Sequence, residues 1–304
     1  MAGTGETLMK NVETWRNDAQ SFEANGARIA YWTSSNQSHD KPWLLLIHGY
    51  PTSSWDWTGI WERLSEKFNL AAMDMLGFGL SDKPTNTHYK IVSQADLQEA
   101  VLENLGVGEA HIFAHDYGNS VGQELLARHN EGTLSFAIKS MCFLNGGLFP
   151  EQHRALTIQK IGLSPLGPLL GAMLTRDKLQ NTFNSIFGPQ TKPNDTEIDA
   201  HWAFLTEQNG RKVFHKLLQY IPQRKANRAR WVGALKETHL PLCLINGGAD
   251  PISGKHLYDY FCEQIPKATA YLLEDLGHYP QTESSDRTLD AFLSFHRNSG
   301  TQFQ

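Results

Sequence analysis

Short apolar runs rich in β-branched and aromatic residues recur along the chain, at 28–32, 43–48, 70–74, 111–115, 138–144, 241–246 and 269–273. Each has the length and composition of a buried strand. Between several of them, at 60–67, 92–105 and 121–130, apolar residues fall three and four apart, the spacing of a helix with one buried face. Strand and helix therefore alternate, which predicts an α/β fold with a mainly parallel sheet flanked by helices. The alternation breaks after Gly147 and resumes near Leu240; in between, glycine and proline punctuate helical patterns such as GLSPLGPLLGAML and IFGPQTKPND. This predicts a core built from 1–147 and 234–304, with a helical cap inserted at 148–233.

Composition narrows the class. Of 304 residues, 40% are apolar and 19% charged, the balance of a globular chain. The longest strongly apolar run, 43–47, is far short of the roughly 20 residues of a membrane span, so no membrane partner is expected. The opening MAGTGETLMK lacks the apolar stretch of a signal peptide, and a cytoplasmic address is expected. Cys142, Cys243 and Cys262 are too widely spaced for a disulfide framework or a zinc site and read as buried thiols. The net charge of −5 conceals a split: residues 148–233 hold 12 Lys+Arg against 6 Asp+Glu, and the remainder 15 against 26. The basic stretch 223–230, QRKANRAR, lacks the aromatic interleaving of a nucleic-acid module and reads as a solvated helix face.

The chemistry gathers at strand ends. After the strand 111–115 the chain runs Ala114-His115-Asp116-Tyr117-Gly118-Asn119 into a helix. Small residues two before and two after Asp116 suit a tight strand-to-helix turn that lifts its carboxylate above the sheet. Gly118-Asn119-Ser120-Val121-Gly122 matches G-x-S-x-G, but making Ser120 the nucleophile would bury Asp116 in the sheet without a partner. Further on, Asp250 follows one strand in GGADP, and His278 follows the last in DLGHYP. Asp74 to Gly79 resembles a nucleotide-binding turn without the G-x-G-x-x-G spacing.

Taken together, HGYPTSSWDW, DMLGFGLSDKP, AHDYGNS, GGADP and DLGHYP resemble the α/β-hydrolase superfamily, in the aspartate-nucleophile branch of epoxide hydrolases and haloalkane dehalogenases. The resemblance implies a catalytic triad of Asp116, Asp250 and His278, with the backbone N–H groups of Tyr50 and Tyr117 as oxyanion hole. It implies hydrolysis through a covalent alkyl ester on Asp116, without metal or organic cofactor, on a small apolar substrate with water as co-substrate.

The two branches differ at the leaving group. Dehalogenases resemble one another in a Trp directly after the nucleophile and often an Asn after His-Gly; here those places hold Tyr117 and Tyr50. Epoxide hydrolases protonate the departing oxygen from cap tyrosines, and Tyr220 is the tyrosine of the inserted segment. An epoxide hydrolase is the favoured expectation; a haloalkane or haloacid dehalogenase, a carboxylesterase using Ser120, and a hydrolase-fold binding protein without turnover stay open. His48, His115, Trp202 and Trp231 are pocket candidates, the two tryptophans as halide donors, while Phe183, Phe187 and Phe204 line a pocket or fill the cap.

Overall fold

The computed structural model describes residues 10–300, so most of the N-terminal stretch behind the cytoplasmic expectation lies outside the described residues. Eight strands form one sheet: β1 (Gln20–Ala24), β2 (Ala27–Thr33), β3 (Trp43–Ile47), β4 (Asn69–Met73), β5 (Glu109–Ala114), β6 (Ala137–Phe143), β7 (Leu242–Gly247) and β8 (Thr269–Leu273). Their spatial order is β1-β2-β4-β3-β5-β6-β7-β8. From β4 to β8 all pairs are parallel; β1–β2 and β2–β4 are antiparallel.

Glu109 and Lys139 near two strand starts are exposed and the edge strand β8 is only partly buried, whereas the parallel strands in the middle of the sheet are largely apolar because both faces are covered. Alternate residues of β3 show this: Leu45 and Ile47 enter one core, Leu44 and Leu46 the other. The helices Ile91–Asn104 and Tyr117–Asn130 bury Val101, Val121 and Leu125 in the first core. The helices Thr58–Ser65 and Ser285–Asn298 bury Ile60, Leu64, Leu289 and Phe292 in the second.

Two expectations change. β1 is an added edge strand, joined to β2 by Asn25-Gly26 at φ 53° and 76°. That Asn-Gly pair is a strong hairpin signal, overlooked because β1 is only half-buried and carries no apolar run. The stretch 223–230 is a solvated face only in part, with Lys225, Ala226, Arg228 and Ala229 exposed. Arg224 is fully buried, Arg228 pairs with Glu151, and Arg230 donates to Glu124 on the helix Tyr117–Asn130. Cys142 and Cys243 are buried and Cys262 is partly so.

Between β6 and β7 the described chain forms short helices joined by loops, with no strand. Its helices include Thr157–Gly162, Gly167–Met173, Arg176–Ile186, Asp195–Thr206, Tyr220–Ala226 and Arg228–Glu237.

Candidate active site

Four strand ends converge: β3 leads to Tyr50, β5 to Asp116, β7 to Asp250 and β8 to His278. Asp116 stands at the elbow with φ 45° and ψ −103°, a strained conformation for a residue with a Cβ. The bend is tight because the following helix presses on β3: a Cβ at Gly118 would lie 2.4 Å from the Ile47 carbonyl oxygen. Asp116 is the N-cap of Tyr117–Asn130, whose dipole favours negative charge there.

Asp116 is 3% exposed. Its Oδ2 accepts from the Tyr50 N–H at 3.1 Å, and its Oδ1 lies 3.9 Å from His278 Nε2. The Tyr117 N–H opens the helix and has no acceptor one turn back. His278 Nδ1 meets Asp250 Oδ2 at 2.7 Å. Asp250 also receives Ser253 Oγ at 2.7 Å and the N–H groups of Ile252 and Ser253 at 2.8 and 3.1 Å. Burial opposes charge on Asp250, but His278 and these donors outweigh it and hold the carboxyl at about 2. Burial likewise opposes the imidazolium, yet Asp250, Asp116 and Glu283 together raise His278 to about 9.

These groups form the floor of a narrow apolar pocket of about 570 Å³ of atom-free space, mouth included. Tyr50, Asp116 and His278 meet walls that include Leu156, Ile158, Leu174, Leu179, Phe183 and Phe214. Tyr220 is buried beside this floor, its ring 5.1 Å from that of Tyr117 and 6.0 Å from that of Tyr50. Its hydroxyl accepts from Gln159 Nε2 at 3.2 Å, and burial raises its pKa, so the phenol keeps its proton. The Tyr50 hydroxyl is buried with no hydrogen-bond partner among the described residues.

Three residues without a motif hold this array together. Arg224 donates from Nη2 to the Asp116 carbonyl at 2.7 Å and from Nε to Ser120 Oγ at 2.6 Å. Its guanidinium lies 3.7 Å from Asp116 Oδ1 and 4.4 Å from the centre of the Tyr220 ring. Asn145, at the end of β6, accepts the Asp116 N–H on its carbonyl at 2.8 Å and donates from Nδ2 to Asp250 Oδ2 at 3.0 Å. Glu283 takes the N–H groups of Gly277 and Tyr279 at 2.7 and 2.9 Å, bracketing His278. Asn145 carried one legible sign, a polar residue at the carboxyl end of a buried parallel strand. Arg224 sat inside a run of like charges, with no sign that one of them turns inward.

The four pocket candidates do not line the pocket. The His48 ring is buried under β3, where Nε2 accepts the Met75 N–H at 3.1 Å. His115 turns beneath the floor, with Nε2 2.8 Å from the His278 carbonyl oxygen, and burial lowers it to about 3. Trp231 donates its Nε1–H to Glu124 at 2.8 Å, and Trp202 stacks near Arg211 at 5.9 Å. Aromatic type alone does not distinguish a pocket-facing tryptophan from one packed elsewhere. Of the phenylalanines, Phe183 reaches the pocket, Phe187 stacks behind it, and Phe204 packs toward Trp55. Ser120 lies inside the helix, four residues past the elbow, with its hydroxyl bound to Arg224. Asp74 braces its own loop by accepting the N–H groups of Ser54 and Leu80 at 2.8 and 2.7 Å.

The sequence profile of the family described as alpha/beta hydrolase fold matches residues 42–285. The chain is 40% identical over 300 residues to the mesoderm-specific transcript homolog protein of Homo sapiens, covering 95% of this chain and 88% of the relative. It is 28% identical over 265 residues to a haloalkane dehalogenase of Mycobacterium marinum, covering 84% and 85%. Among solved structures, the epoxide hydrolase CorEH superposes with a TM-score of 0.74 at 17% identity, covering 92% of this chain and 98% of that one, a likeness of fold.

Proposed function

Because the chain belongs to the α/β-hydrolase fold family, we propose that it is a hydrolase working through a covalent alkyl ester on Asp116, opening small apolar epoxides to diols. One observation carries the reading: at the floor of an apolar pocket a carboxylate rests one oxygen on the Tyr50 N–H and turns the other toward His278. A carboxylate needs no base to become a nucleophile, and it suits displacement at saturated carbon.

Asp116 Oδ1 attacks a ring carbon, the carbon–oxygen bond breaks, and the alkoxide takes the Tyr220 phenol proton. Forming the ester removes the Asp116 charge that helps keep His278 protonated, so the imidazolium releases its proton and the phenol is restored. Neutral His278 then takes a proton from water as the water oxygen adds to the ester carbon. The oxyanion on Oδ2 meets the N–H groups of Tyr50 and Tyr117; one such donor is worth about 10²–10³ in rate. Collapse expels the diol oxygen, which takes the proton from His278, and the carboxylic acid left on Asp116 passes its own proton to the imidazole, restoring carboxylate and imidazolium.

Two features favour epoxide over halide. Tyr220 accepts from its neighbour Gln159 and keeps its own proton, and the Tyr50 hydroxyl, without a hydrogen-bond partner among the described residues, offers a second O–H at the pocket. The N–H of Trp231, a candidate halide donor, is engaged by Glu124. Ser120, tied to Arg224, is poorly placed for an esterase. The test is a panel of epoxides, haloalkanes and p-nitrophenyl esters run with wild type, Asp116→Ala and Tyr220→Phe. The reading expects diol from epoxides, lost in Asp116→Ala and reduced in Tyr220→Phe; ester turnover that survives Asp116→Ala would defeat it.

A further inference from the structure

Exposed apolar side chains on this protein are gathered rather than scattered. Among the described residues the large ones are Val92, Ile161, Leu166, Leu169 and Met173, and all but Val92 lie within 161–173. Leu166, Leu169 and Met173 are 58–60% exposed and follow the three-then-four spacing of one face of the helix Gly167–Met173 and its N-cap. Such a crest on a water-facing surface marks a contact site.

Its surroundings identify the contact. Across residues 155–175 the sole charged side chain is Lys160, and cations collar the crest. Lys178 Nζ donates to the Met173 carbonyl at 2.8 Å; Arg211 donates from Nε to Gly171 at 2.9 Å and from Nη2 to Ala172. Lys160 and Lys212 stand exposed. Residues 148–233 hold 12 Lys+Arg against 6 Asp+Glu, in a chain whose remainder holds 15 against 26. An apolar ridge ringed by cations complements an anionic bilayer, acyl chains taking the ridge and phosphates the collar. A two-fold contact between copies would instead set the same collar against itself.

We propose that the crest of Ile161, Leu166, Leu169 and Met173, collared by Lys160, Lys178 and Arg211, docks the protein on an anionic lipid surface. The crest is continuous with the pocket wall: Ile158 and Gln159 line the pocket from the helix that carries Ile161, and Leu174 lines it directly after Met173. Docking turns that wall toward the lipid. No described helix is long and apolar enough to cross a membrane, and a helix face lying in the interface needs no such length. The expectation of no membrane partner rested on spanning length alone. The proposal stands apart from the chemistry at Asp116.

The test is flotation of the full chain with vesicles of phosphatidylglycerol and phosphatidylcholine in equal parts, beside pure phosphatidylcholine. Wild type is expected to float with the mixed vesicles and at least five-fold less with the neutral ones. Combined Leu166→Asp, Leu169→Asp and Met173→Asp is expected to lower the floated fraction at least ten-fold with unchanged thermal unfolding, since these side chains are exposed. Lys160→Glu with Lys178→Glu is expected to remove the preference for anionic lipid, and Asp116→Asn to float as wild type does. Wild type staying down with both vesicles, or the triple variant floating equally well, overturns the proposal. So does a wild-type dimer in sedimentation that the triple variant breaks, without flotation.

Discussion

Arg224 is the side chain on which the elbow leans most heavily, and nothing in its neighbours along the chain marks it out. It bonds the Asp116 carbonyl and Ser120 from a helix of the 148–233 segment, joining that segment to the nucleophile candidate in one buried contact. Arg224→Met strips both donors from a buried site and is expected to destabilise by about 3–5 kcal/mol in urea unfolding. Arg224→Lys keeps the charge without the planar fork and is expected to lower kcat more than it changes KM. Wild-type stability in the Met variant would mean that solvent replaces the contact. His278 makes a second prediction. Part of its rise to about 9 comes from the Asp116 charge, so Asp116→Asn is expected to lower the His278 titration midpoint followed by NMR. An unchanged midpoint would deny the coupling on which ester hydrolysis depends. The sign for stability follows: a pKa raised from 6.5 to about 9 contributes fully below 6.5 and is lost as pH rises through about 9. The advantage of wild type over His278→Gln in unfolding free energy is thus expected to shrink across that window.

At the scale of elements, the strand-turn-helix around Asp116 explains which glycines of GNSVG matter. A Cβ added to Gly118 would lie 2.4 and 2.7 Å from the Ile47 and His48 carbonyl oxygens, whereas the nearest atom to a Cβ on Gly122 is the flexible end of Met141 at 3.0 Å. Gly118→Ala is expected to cost about 3 kcal/mol in denaturant unfolding, and Gly122→Ala close to nothing, because the helical gain offsets a small shift of Met141. Equal effects would place the bend elsewhere. The same element was legible in sequence because the small residues Ala114 and Gly118 flank Asp116 where a sharp bend permits no bulk. Strands β2 to β8 were legible too, as mostly apolar runs, with ends differing by a residue or two. β1 was not, since a half-buried edge strand alternates too weakly and only its Asn-Gly turn speaks for it.

Across the whole molecule, the site assembles from strand ends that are distant in sequence and adjacent in the sheet, so chain order foretold which loops meet. What it could not foretell is which side chains of the 148–233 segment turn inward. Arg224 buries while Arg228 stays partly exposed; Phe183 reaches the pocket while Trp202 packs against Arg211. Those choices follow from how several short helices pack on one another and on the core, where residue type alone misleads. The account's central claim, a covalent ester on Asp116, is tested most directly by intact-protein and peptide mass spectrometry of His278→Gln mixed with a small apolar epoxide. The ester should form and persist, adding the mass of the epoxide to the peptide that carries Asp116; an unmodified peptide from a variant that still consumes the epoxide would contradict it.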